Sequence, residues 1–123
     1  MKKVKPFLII AVILAAILLM ESQTKLIRRF LDNTIDDSYN HYLPCAALPS
    51  TARVVEVIAA HPEAIDQILA VDPGNVVIDI GTTACPEKAD LLISYPSHAD
   101  RLAIEALLTN RTFYGIPVRL RNW

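Results

Sequence analysis

The sequence predicts an α+β protein in which an N-terminal transmembrane helix and stalk lead into a small ferredoxin-like βαββαβ domain. Three observations carry this reading. An uninterrupted apolar run fills residues 7–20, a helix-period apolar pattern follows it directly, and beyond residue 50 β-rich and helix-period segments alternate between Pro and Gly breaks. The boundaries that result are 1–21 for a transmembrane signal anchor, 22–50 for an amphipathic stalk helix and linker, and 51–123 for the domain.

Lys2, Lys3 and Lys5 precede the apolar run and Glu21 ends it. The span 4–20 reaches the lower limit of about 17 residues for a membrane helix, and flanking lysines extend it by snorkelling. Pro6 falls in the first turn, where its missing N–H costs nothing. A cleaved signal peptide would need small residues at its cleavage site, and Leu18, Leu19 and Met20 supply none, so retention as a single-pass anchor is expected. Lys25, Arg28 and Arg29 follow the run and balance the lysines before it. Orientation therefore rests on the lysines at the extreme N-terminus and on two cysteines suited to oxidation. Both point to a cytoplasmic N-terminus and a periplasmic or extracellular domain.

In the stalk, Leu26, Ile27, Phe30, Leu31 and Ile35 recur at helical spacing between Arg28, Arg29, Asp32 and Asp36. This stripe is expected to pack on the protein's own domain, on membrane lipid, or on another membrane-protein subunit. Residues 39–50, with Pro44 and Pro49, lack periodicity and read as a linker.

The domain's first segment, 53–58, is rich in β-branched residues and reads as a strand; Ala52, Ala59 and Ala60 would equally suit a helix capped by Ser50. That helix would give the alternative order αα-ββαβ with a three-stranded antiparallel sheet. Pro62 opens a helix that buries Ile65, Ile68 and Leu69, with His61 in a capping role. Strands at 76–80 and 89–95, joined by the loop 81–88, are predicted to form a hairpin. Ser97 and Asp100 then resemble a capping box for a helix whose broad apolar face is Leu102, Ala103, Ile104, Ala106 and Leu107. A last strand at 112–121 is bent by Gly115 and Pro117, and Pro117 argues for an edge position or a bulge.

Charge and motif content exclude several functions. Residues 51–123 carry six Lys/Arg against nine Asp/Glu, a net charge of −3, so the domain lacks the clustered basic surface of a nucleic-acid partner. The three glycines, Gly74, Gly81 and Gly115, cannot make a phosphate-cradling loop. His41, His61, His98, Cys45 and Cys85 stand at no metal-ligand spacing, so no metal or other cofactor is expected. No nucleophile, base and orienting acid are grouped, so no catalytic residue is assigned. Beyond a membrane, Cys45 and Cys85 are most simply a disulfide that ties the linker to the loop 81–88.

What remains is a membrane-anchored, non-enzymatic accessory or assembly subunit that acts through protein–protein contacts outside the cytoplasm. One alternative is a domain that senses a small molecule on the open face of its sheet, lined by Tyr95, Phe113, Tyr114 and Trp123. Another, a pilin-like filament subunit, would need an acid early in the apolar helix, whereas the first acid is Glu21.

Overall fold

The computed structural model describes residues 5–82 and 85–123; Lys2, Lys3 and Val4 of the anchor, and Thr83 and Ala84 of the 81–88 loop, lie outside the described residues. Helix α1 (Pro6–Thr24) has Pro6 in its first turn and a mean hydropathy of 2.2, long and apolar enough to cross a membrane. It ends at Lys25, which adopts the left-handed conformation (φ 54°) while its N–H closes on the Glu21 carbonyl. The amphipathic helix α2 (Leu26–Thr34) starts at the next residue. The Glu21 carboxylate accepts from the Ile27 and Arg28 amides at 2.7 and 3.0 Å, so one side chain caps the second helix across the break.

The expected strand at 53–58 is instead helix α3 (Thr51–Ala60), so the βαββαβ order does not form. Ser50 decides it: its Oγ accepts from the Arg53 amide at 3.1 Å, and Val54 and Val57, three apart, turn into the core on one helical face. Helix α4 (Pro62–Leu69) follows with Pro62 at its first position and Ile68 buried, Ile65 and Leu69 packing partly against the core. His61 does not cap α4 through its side chain. Its Nδ1 donates to the Val57 carbonyl at 2.9 Å, which satisfies the end of α3 instead.

Strands β1 (Val77–Thr82) and β2 (Ala89–Tyr95) pair antiparallel as the expected hairpin, with Ile80 opposite Leu91 and Gly81 opposite Asp90. Helix α5 (His98–Leu107) has its capping box in place, the Ser97 Oγ accepting from the Asp100 amide at 3.2 Å. The single last strand is in fact two, β3 (Thr112–Phe113) and β4 (Ile116–Asn122). Tyr114 (φ 49°) and Gly115 (φ 85°) both take positive φ, which makes a tight two-residue hairpin turn rather than a bend.

The four-stranded sheet has the order β1-β2-β4-β3, with β2 and β4 parallel, so it is mixed rather than antiparallel. The crossover from β2 through α5 back to β4 produces that parallel pair. Pro117 is not on an edge strand; it sits before the stretch 118–122 that pairs with β2, where its absent N–H removes no rung. By alternation, Ala89, Leu91, Ile93 and Tyr95 of β2 share a face with Val118 and Leu120 of β4. That face forms one buried cluster with Val54, Val57, Ile68 and Ile104 of the helices.

The opposite face is covered in part by the segment 37–50, which is stitched into the sheet rather than hanging free. Tyr39 exchanges two backbone hydrogen bonds with Leu120 at the outer edge of β4, and Thr51 and Ala89 bond across to Glu87 and Pro49. Between these points the chain makes a 3₁₀ turn, Cys45–Ala47, and Cys45 is disulfide-bonded to Cys85 with Cα atoms 5.5 Å apart.

Two predictions follow from this covering. Cys85→Ser lowers stability by about 2–5 kcal/mol, the cost of losing a native bridge from a small domain; urea unfolding measures it, and non-reducing peptide mapping that recovers free thiols from native membranes contradicts the bond. Gly81 lies so close beneath a buried ion pair that an added Cβ would stand 1.9 Å from Asp90 Oδ1 and 2.3 Å from Arg119 Nη2. Gly81→Ala therefore costs about 1–3 kcal/mol through overpacking, and an unchanged melting temperature would refute the close approach.

Candidate interaction surfaces

Two polar clusters hold the segment 37–50 to the domain. In the first, Asp90 is fully buried, and Arg119 grips it in two-pronged fashion, Nε and Nη2 at 2.5 and 2.9 Å. His41 adds Nε2 at 2.7 Å. The Leu43 amide donates to His41 Nδ1 at 3.0 Å, which leaves the ring proton on Nε2 and aims it at Asp90. Burial pushes the Asp90 carboxyl up, but the hydrogen bonds from His41 and Arg119 outweigh it and hold the group below its ordinary value of 3.8.

The second cluster is centred on Arg101, which α5 carries on its inner face at 2% exposure. Its Nη1 reaches Asp37 Oδ1 at 3.0 Å, its Nε reaches Glu105 at 3.1 Å, and its Nη groups bond the Asn33 carbonyl and side-chain oxygens. Asp37, held at positive φ, also accepts from His98 and from the Asn122 side-chain amide, while its carbonyl accepts from the Tyr95 hydroxyl. Burial opposes ionisation of Asp37, and the donors His98, Arg101 and Asn122 more than offset it, so its pKa is lowered.

The Arg101 cluster fixes which way α2 faces. Arg29, Asp32 and Asn33 lie on one side of the helix; the segment 37–50 engages the first two and Arg101 of the domain engages Asn33. Arg29 sits 5.7 Å over the Tyr42 ring, the Tyr42 hydroxyl donates to Asp32, and Asn33 takes the Arg101 bonds. Burial and the Asp32 contact push the Tyr42 pKa up to about 12. The expected stalk face is left uncovered: Leu26, Ile27, Phe30, Leu31 and Ile35 are all exposed, Phe30 at 64% and Ile35 at 72%, with Phe30 also at the rim of the cavity beside Arg29 and Asn33. The stripe does not pack on its own domain.

A second apolar surface lies on α5. Of the five residues of its broad apolar face, only Ile104 is buried; Leu102 is 54% and Leu107 45% exposed, with Ala103 and Ala106 also at the surface. Arg101 takes the inner position and rotates the helix about its axis, which turns the leucines out. Leu107 joins a groove of about 320 Å³ between α4 and the β3–β4 turn, where Tyr114 stacks on His61 with ring centroids 3.5 Å apart.

The aromatic residues expected to line an open ligand face are divided. Tyr95 and Phe113 are in the core, whereas Tyr114 and Trp123 are exposed. A cavity of about 340 Å³ opens beside α2 instead, lined by Arg29, Asp32, Asn33, Tyr39 and Arg111 among others, with Phe30 at its rim. Among the described residues no three His, Cys, Asp or Glu side chains converge as a metal site would require. The Arg101 and Asp90 clusters and the outward sense of α5 had no motif in the sequence. The one signal available was the largely hydrophobic composition of the strand at 89–95, buried at nearly every position, which leaves Asp90 a lone charge needing a partner. Comparison with known families, curated proteins and solved structures finds no match.

Because Asp37 and Asp90 have lowered pKa values when folded, their contribution to stability is complete above the unfolded carboxylate value and is lost as pH falls through the folded values. The free energy of urea unfolding is expected to be flat from neutrality to about pH 5 and to fall below it. Asp90→Asn lowers the plateau and shallows the acid slope. An acid limb identical in the variant would remove Asp90 from the account.

Proposed function

We propose that this protein is a membrane-anchored, non-enzymatic accessory or assembly subunit that works through contacts with other membrane-protein subunits outside the cytoplasm. The observation that carries the reading is the outward apolar side of α5, Leu102 to Leu107, continuous with the groove at Tyr114. Exposed leucines beside a stacked aromatic, ringed by polar side chains, have the make-up of a protein-binding patch. Helix α1 supplies the anchor in this reading, and the disulfide agrees with a domain on the oxidising side of the membrane.

The non-enzymatic part is supported by what the reactive side chains are doing. Both sulfurs are bonded to each other, His41 has both ring nitrogens committed, His61 serves the end of α3, and His98 is bound to Asp37. The alternative role in small-molecule sensing keeps only the cavity beside α2, without the aromatic surface expected for it.

Extraction of the full chain in a mild detergent tests the proposal. It should co-purify with defined membrane subunits, and Leu102→Glu combined with Leu107→Glu should release them while the melting temperature stays within a few degrees. A monodisperse monomer that carries no partner from its native membrane counts against the reading.

A further inference from the structure

An amphipathic helix in a globular protein ordinarily turns its apolar stripe to the core and its charges to water. Helix α2 does the reverse. Its polar side is bound to Tyr42 and His41 of the covering segment and to Arg101 of the domain, and its apolar side is exposed, Phe30 alone also bordering the cavity at Arg29. Thr34, the one hydroxyl on that exposed side, donates to the Phe30 carbonyl at 2.5 Å and so needs no water. The helix starts one residue after the end of α1, beyond a break at Lys25 that Glu21 caps on both sides. An apolar helix that ends at Thr24 with its Ser22 and Thr24 hydroxyls bonded back to Leu19 and Met20 delivers α2 at headgroup depth. Lys25 and Arg28 then stand where anionic headgroups would be.

We propose that α2 lies in the lipid–water interface on the domain's side of the membrane, with Leu26, Ile27, Phe30, Leu31 and Ile35 sunk among the acyl chains, and that it thereby holds the domain flush against the bilayer. The proposal rests on the reading of α1 as an anchor. It is independent of the α5 patch. Because Arg101 and Tyr42 lock the polar side of α2 to the domain, the lipid surface sets the domain's orientation as well as its distance.

The test uses the full chain in vesicles of phosphatidylcholine and phosphatidylglycerol, with Phe30→Trp introduced in a Trp123→Phe background. The Phe30→Trp indole is expected to emit in the blue and to be quenched at least about twofold by lipids brominated near the headgroup, since interfacial helices bury their apolar face about 5–10 Å deep. The unmodified chain, whose Trp123 is 65% exposed on the domain, should show no such quenching. Flotation with the vesicles and resistance to carbonate extraction report the anchor separately. A chain that floats and resists extraction while its Phe30→Trp indole stays unquenched overturns the α2 proposal and spares the anchor. Blue emission without lipid quenching overturns it too, in favour of a second copy covering the stripe. Release by carbonate overturns both.

Discussion

The buried guanidinium of Arg101 is the constraint around which the molecule is arranged. A cation removed from water costs several kcal/mol unless its donors are satisfied, and here the acceptors come from three separate segments: Asn33 at the end of α2, Asp37 in the chain after it, and Glu105 one turn along α5. Those segments must meet at one point. Once Asn33 is drawn to Arg101, the polar side of α2 faces the domain and the apolar side has nowhere to go but outward. The same side chain takes the inner position on α5, which turns Leu102 and Leu107 to the surface. The exposed apolar sides of α2 and α5 thus trace back to one buried charge.

The second organising element is the way residues 37–50 wrap the sheet. A domain of this size buries a modest share of its surface, and three helices can cover only one face of four strands. The other face carries Asp90 and Arg119, which cannot be left half-satisfied. The wrapping segment brings His41 to complete that pair, Gly81 leaves room for it, and the disulfide closes the segment against the loop after β1. The covering is polar, local and covalently tied. It substitutes for a second hydrophobic layer.

These two devices together make α2 and the domain one body. A flexible tether would let the domain sample any height and tilt above a membrane, whereas a helix joined through charge-assisted hydrogen bonds transmits its own orientation. In the proposed role this rigidity matters, because a patch held at a fixed height and angle leaves a binding partner few degrees of freedom to search.

Much of this was legible in the residues alone. The apolar run, the stripe of α2, the Ser97 capping box, the β1–β2 hairpin and the cysteine pair all depend on local composition and spacing, which the sequence states directly. Segment 53–58 was open between strand and helix because Arg-Val-Val-Glu-Val-Ile satisfies both periods, and the Ser50 cap tipped the balance. The hairpin at Tyr114 and Gly115 escaped because Tyr is an uncommon residue at positive φ. Which side of α2 and α5 faces inward, and which chain covers the polar face of the sheet, were decided only in three dimensions. A stripe of apolar residues records what a helix can bury, but a lone arginine or aspartate gives no address for its partner, and apart from Glu105 the partners of Arg101 and Asp90 lie tens of residues away along the chain.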